Sequence, residues 1–375
     1  MIYLDYNATT PIDEKVLETV LPYLTSNFGN PSSAHAMGLK AARSVEAARE
    51  KMAAYIGADA EEIIFTSGAT EAVNLAIKGL YDVYGSKRNH IITVATEHSA
   101  VLDTCKYLEA RGAVVDYLPV DKNGLISIDM LLEKITDHTL LLAVMHANNE
   151  TGVLQPVNDI GRIAKDKNLF FFCDTTQSAG KLPINVNELN ADMLCFSAHK
   201  MYGMKGAGAL YVRRKNPRVN IAMQLHGGGH ERKRRSGTLN VPGIISLAKT
   251  FELFSHEENS KIEVLRDFLE NSLLATDGVS LNGDKKQRMF NVSNLSFSGI
   301  NGKRFLSAIG QEICVSAGSA CNASSNQPSH VLAAMGLSDE LAANAIRFSL
   351  GRYTTREEIE KVIEMVKKKY TELKQ

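Results

Sequence analysis

Leu140-Leu-Leu-Ala-Val-Met145 runs without interruption into His146-Ala-Asn-Asn-Glu150. A short apolar run that does not alternate with polar residues is the pattern of a strand covered on both faces. Working outward, the same pattern recurs at Ile63–Phe65, Ile91–Val94, Val114–Leu118, Leu169–Cys173, Met193–Phe196 and Ala209–Val212. Helical patterns lie between these runs, over Thr70–Leu80, Ser99–Ala110, Ile128–Lys134 and Val157–Lys167. Strands alternating with helices predict an α/β fold whose sheet of seven strands is mostly parallel.

From about Gly243 the texture changes. A long helical stretch is expected past Glu257 toward Leu274, followed by isolated strands at Asn291–Phe297, Ile313–Ser316 and Ile346–Ser349. The chain closes on an amphipathic helix with Ile359, Val362, Ile363, Val366 and Tyr370 on one face, opened by a capping box of Thr354 and Glu357. The expected division is a large cofactor-binding α/β domain over 13–255 and a smaller α+β domain made of 1–12 with 256–375.

Composition narrows the function classes. The 375 residues carry 42 Lys+Arg against 42 Asp+Glu, a formal charge of +0, which disfavours a protein that coats nucleic acid. Hydrophobic residues at 44% and charged residues at 22% exclude wholesale disorder. No apolar run approaches the roughly 18 residues of a membrane span, and no signal peptide is visible at the start. The 5 cysteines form no CxxC pair, so neither a disulfide framework nor a metal site is expected, and a reduced cytoplasmic setting is.

In an open parallel sheet, ligands collect outside the carboxyl ends of the strands. Those ends read Thr66-Ser67-Gly68-Ala69-Thr70, Glu97-His98, Asn148-Asn149-Glu150, Asp174 with Gln177, and Ser197-Ala198-His199-Lys200. Gly68 before a helix suits an anion held by free N–H groups, although taken alone it reads better as a plain helix cap by Ser67 or Thr70. Asp174 after an apolar strand needs a cation or a ligand, since an unpaired carboxylate there is costly. Lys200, followed by a turn-forming stretch, is the kind of amine that forms Schiff bases. A phosphate cradle, an imidazole, an amide, a carboxylate and an amine have one common client, pyridoxal 5'-phosphate.

Longer motifs extend the picture. Asp-Tyr-Asn-Ala-Thr-Thr-Pro (5–11), Asn-Pro-Ser-Ser-Ala-His (30–35), Thr-Ser-Gly-Ala-Thr-Glu (66–71), Asn-Asn-Glu-Thr-Gly (148–152), Asp-Thr-Thr-Gln (174–177), Ser-Ala-His-Lys (197–200), Gly-Gly-Gly-His-Glu-Arg (227–232), Arg-Ser-Gly-Thr (235–238) and Gly-Ser-Ala-Cys (318–321) occur in this order. With Glu97-His98, they resemble the cysteine desulfurases of the NifS/IscS type, in the class V aminotransferase family, over the whole chain. The resemblance implies a fold-type I aminotransferase-like architecture, a homodimer, and conversion of L-cysteine to L-alanine with sulfur left on the enzyme as a persulfide.

Carried over by position, the resemblance makes Lys200 the cofactor-bearing lysine and His98 the imidazole that stacks on the ring and handles protons. Asp174 would face the pyridinium nitrogen, and Gln177 and Asn149 the phenolic oxygen. Ala69, Thr70, Ser197 and His199 would hold the phosphate, with Thr238 reaching across from the partner subunit. Arg347 would clamp the substrate carboxylate beside Asn149, although by its residues alone it reads as a surface ion pair. Cys321 would accept the sulfur. Cys105, Cys173, Cys195 and Cys314 sit in helical or strand patterns, whereas Cys321 stands in a small, polar stretch from Ala317 to Ser329 that suits a mobile loop.

The sulfur acceptor stays open between an iron–sulfur scaffold, a tRNA-thiolation relay and a DNA phosphorothioation system. The basic run Arg232-Lys-Arg-Arg235 reads first as a solvated loop and second as an acceptor- or RNA-facing patch. Alternatives on the same fold are a selenocysteine lyase or an aminotransferase, the latter disfavoured by the Cys321 stretch. A silent scaffold that docks sulfur-transfer proteins is disfavoured by Lys200, Asp174 and His98 standing together.

Overall fold

The computed structural model describes residues 1–317 and 329–374. Its main sheet has 7 strands in the order Ile63–Thr66, Gly208–Val212, Met193–Ser197, Phe170–Asp174, Thr139–Met145, His90–Val94 and Val114–Leu118. Only Gly208–Val212 runs antiparallel to its neighbours, pairing Ile63 with Tyr211 on one side and Met193 with Val212 on the other. The other strands therefore end on one edge, where the polar motifs lie.

The apolar runs of the inner strands do not alternate because the sheet is buried there on both faces, whereas the edge strand Val114–Leu118 is largely half-buried and carries Asp116. Phe65, Leu142, Val144 and Leu194 enter one core, while Ile64, Leu141, Ala143 and Cys195 enter the other. A third core joins Leu4 to Phe297, Phe305, Phe348, Ile359, Val362 and Tyr370. It packs around a 3-stranded antiparallel sheet, Ala345–Ser349 with Val292–Phe297 and Val279–Leu281, beside the parallel pair Ile2–Tyr3 and Ile313–Cys314. Among the described residues, no helix is long and apolar enough to cross a membrane.

Two expectations are corrected. The long stretch after Gly243 is two helices, Val241–Phe251 and His256–Leu274. Ser255 separates them by accepting the Glu258 N–H, a local bond that competes with continuing the helix. The capping box of the last helix, Arg356–Lys374, is one residue later than expected. Glu358 N–H donates to Thr355 Oγ1 and Thr355 N–H to Glu358 Oε2, while Thr354 turns inward to accept from Gly351 N–H.

Candidate active site

The strand ends open onto a cavity of about 430 Å³. Ala69, Thr70, His98, Asn149, Asp174, Gln177, Ser197, His199, Lys200 and Arg347 all line it. Thr238 is not among the lining residues; it lies on the exposed surface. Cys321 lies outside the described residues.

The anion cradle is built from backbone. Gly68 takes φ +155° and ψ −177°, a region open in practice to glycine alone, and no side chain caps the helix Ala69–Tyr84 that follows. Gly208 crosses so close that a Cβ there would lie 2.6 Å from Gly68 Cα. The Ser67 N–H instead donates to Glu71, whose carboxylate also takes two bonds from Arg235. Burial, which would raise the Glu71 pKa, is outweighed by these bonds, and it falls below the usual carboxylate range. Arg235 thus braces the loop from behind. Arg232 pairs with Glu46 and Arg234 donates to Glu61 O, so most of the basic run is tied to the body of the protein.

Lys200 Nζ donates to Asn7 O at 2.6 Å and Ala8 O at 2.8 Å. The segment around Asn7 clamps the turn that presents it: Thr10 N–H and Oγ1–H both donate to His199 O, and Tyr202 N–H donates to Thr10 Oγ1. Burial, with Lys200, Lys205 and Lys181 nearby, lowers the His199 pKa to about 4, so its ring is neutral at physiological pH. His98 Nδ1 accepts the Ala100 N–H at 3.1 Å, which leaves the proton of the neutral ring on Nε2.

Asn148 and Asn149 divide their labour. Asn148 Oδ1 accepts N–H bonds from Glu150 and Thr151 and holds the turn. Asn149 Oδ1 is buried with no partner, a polar atom that a ligand in the cavity would satisfy. Gln177 is fixed at both ends of its amide, Nε2–H donating to Asn7 O and Oε1 accepting from Lys181 Nζ at 3.3 Å. Asp174 Oδ1 accepts the Thr176 N–H. Arg347 is 1% exposed, so it is no surface ion pair; Nη1 donates to Asn149 O at 2.9 Å and Nη2 to Asp5 Oδ1 at 2.6 Å.

Sequence reasoning passed over Asn7, Glu150 and His330, which also line the cavity. Asn7 belonged to a quoted motif with no role attached. His330 Nε2–H donates to Glu97 O at 2.9 Å, and Ser329 Oγ–H donates to Glu150 at 2.5 Å. Glu150 likewise stood in a quoted strand-end motif without a role, whereas nothing in the local sequence marks His330, which a distant segment brings here. Cys105, Cys173 and Cys195 are buried as expected for small hydrophobes, and burial raises the Cys105 thiol to about 12 and those of Cys173 and Cys195 well above the free value, whereas Cys314 is only half-buried.

An uncapped helix start, an unpaired buried amide oxygen, a carboxylate and an amine in one cavity fit pyridoxal 5'-phosphate. The family model for aminotransferase class-V matches residues 2–362, and the chain belongs to that family of pyridoxal phosphate enzymes. Within it, the chain is similar to cysteine desulfurase IscS of Rickettsia felis, 48% identical over 379 residues that cover 100% of this chain and 92% of that protein. Among solved structures it is similar to a NifS-like protein, with TM-score 0.92, 38% identity, and 99% and 100% of the two chains covered. It also resembles SspA in complex with cysteine, with TM-score 0.85, 39% identity, and 95% and 100% covered.

Proposed function

We propose that the protein is a cysteine desulfurase that converts L-cysteine to L-alanine and transfers the sulfur, as a persulfide on Cys321, to acceptor proteins of iron–sulfur cluster assembly or a thiolation pathway. The observation that carries this reading is the convergence of Lys200, His98, Asp174 and Arg347 on one cavity, in a chain of this family. The reaction balances: the C–S bond of cysteine breaks, an S–S bond forms on the Cys321 thiol, and the carbon that loses sulfur gains a proton.

Bound pyridoxal phosphate supplies the electron sink for this chemistry. Lys200 would be its attachment point, and the uncapped N–H groups after Gly68, with Ala69, Thr70, Ser197 and neutral His199, would hold its phosphate. Thr238 would complete that site from a second copy of the chain. Asp174 would serve the ring nitrogen, and Gln177 and Asn149 the phenolic oxygen. His98 would stack on the ring and handle a proton at Nε2. Arg347 has N–H groups beyond those given to Asn149 and Asp5, and these orient the substrate carboxylate.

A homodimer is supported by the exposed apolar face of Leu17, Leu21 and Leu24 on the helix Glu14–Thr25, continued by Phe28. The domain division at 12/13 and 255/256 is supported by the separate third core, which takes Leu4 from one side and residues from Ile262 onward from the other. A cytoplasmic setting is supported by the free thiols of Cys105, Cys173, Cys195 and Cys314. The test is incubation of cofactor-loaded protein with L-cysteine, measuring alanine and enzyme-bound sulfur together. Alanine formed in step with a sulfur adduct on the Cys321 peptide is expected; absence of alanine would refute the proposal.

A further inference from the structure

Behind the carboxylate of Asp174 lies a thiol that the reaction does not use. Cys195 stands opposite Asp174 on the neighbouring strand, is 0% exposed, and donates its S–H to Asp174 Oδ1 across 3.1 Å. The same oxygen accepts the Thr176 N–H at 2.9 Å. Thr176 Oγ1 lies 3.6 Å from the Cys195 sulfur. Because the only thiol proton is committed to the carboxylate, the Thr176 hydroxyl is the donor in that contact, and the donors run from Thr176 through Cys195 to Asp174. Burial and the Asp174 charge keep the thiol protonated, which is the state that donates.

Two donors on Oδ1 leave Oδ2 as the acceptor available to the cavity. On the reading that Asp174 faces the cofactor ring nitrogen, we infer that Cys195 is a positioning residue, whose S–H fixes the Asp174 carboxylate so that Oδ2 meets that nitrogen and the shared proton stays on it. The physical reason is that each donor to an ionised carboxylate stabilises the ion and makes it a poorer competitor for a proton. On the strand at the other side of Asp174, the Met145 N–H donates to Glu97 Oε1 at 2.6 Å, and burial, with Asp174 adding to it, raises the Glu97 pKa well above its ordinary value. A hydroxyl at position 195 would preserve the arrangement, whereas an alkyl side chain would not.

The inference is tested on Cys195→Ser, Cys195→Val, Cys195→Ala and Asp174→Ala by two measurements. In the cofactor-free protein, the infrared S–H band assigned to Cys195 (the band lost in Cys195→Ser) is expected to move to higher frequency in Asp174→Ala. An unmoved band would overturn the hydrogen bond and the inference with it. Titration of cofactor-free protein with pyridoxal phosphate is expected to show Kd rising about three- to tenfold in the Val and Ala variants, the size of one net hydrogen bond, with recovery in Cys195→Ser. Tight binding by Cys195→Val and Cys195→Ala, with Asp174→Ala weakened, would overturn the role of Cys195 while leaving that of Asp174 standing. Tight binding by Asp174→Ala would instead overturn the underlying reading of Asp174.

Discussion

Arg347→Lys separates geometry from charge at the proposed substrate clamp. A guanidinium has five N–H donors in a flat fork, and two are committed here, one to Asn149 O at 2.9 Å and one to Asp5 Oδ1 at 2.6 Å. Its Nε is buried without a partner, so part of the fork remains for a ligand. A lysine ammonium keeps the charge and still pairs with Asp5, because an unpaired buried ion is the costlier outcome. What it cannot do is hold Asp5 and also offer two parallel donors to a carboxylate. The loss is one charge-assisted bond, about 1.5–3 kcal/mol, or roughly ten- to a hundredfold in KM. With Lys200, His98 and Asp174 untouched, kcat is expected to stay near the parent value. The assay is alanine formation against cysteine concentration, with cofactor content measured in the same samples. A parent-like KM in fully loaded Arg347→Lys would refute the clamp. Arg352 is no substitute, being committed to Asp13, Glu258 and Leu253 O and lying over the Tyr202 ring.

Lys200→Ala is expected to abolish turnover with circular dichroism unchanged, and borohydride reduction of the parent to leave cofactor on Lys200; an adduct on Lys205 would contradict the assignment. Cys321→Ser is expected to bind cofactor and cysteine but to form neither persulfide nor sulfide, and a fully active variant would move the acceptor elsewhere. Arg49→Met strands Glu231, which Arg49 meets through two 2.8 Å contacts, and is expected to lower unfolding stability by about 3–5 kcal/mol in urea titrations. Burial, aided by Lys200 and Arg347, lowers the Lys181 pKa to about 7, so the unfolded chain binds the extra proton between there and roughly 10.4. Lys181 therefore penalises the fold most below about pH 7, and the penalty fades as pH rises. The stability gained by Lys181→Met is expected to shrink between pH 7 and pH 9.5; a constant difference would contradict the sign.

The main sheet was legible because each of its strands is a local signal. Burial on both faces forces every residue of a run such as Leu140–Met145 to be apolar, and the first polar residues after it mark the edge where ligands sit. The helix Ala36–Ile56 was not legible. Its buried stripe consists largely of small residues, Ala41, Val45, Ala48 and Ala53, and carries Arg49 in its middle, a charge that belongs there only because Glu231 meets it from a distant loop. The capping box was ambiguous for a simpler reason. Thr354-Thr355-Arg356-Glu357-Glu358 contains the spacing twice, and the choice rests on the contact of Thr354 with Gly351.

The segment from Asp5 to Thr10 shows why a motif can be recognised without being understood. Asn7 N–H donates to Ser349 Oγ beside the third core, its Nδ2–H donates to Asn149 O, and its own carbonyl takes bonds from Gln177 and Lys200. Asp5 bridges to Ser349 and pairs with Arg347. One short stretch therefore touches the groups proposed to hold the cofactor, the substrate and the lysine, and it couples the core containing Leu4 to the strand ends of the main sheet. None of its residues has a strand or helix period, since the backbone here is shaped by what it must reach. The cavity is assembled only when both bodies of structure are folded; a substitution at Asp5 acts on Arg347, and one at Asn7 acts on Lys200 and, through Asn149 O, on Arg347. A double-mutant cycle between Asn7→Ala and Arg347→Lys should accordingly be non-additive in KM, because both alter the support of Asn149 O.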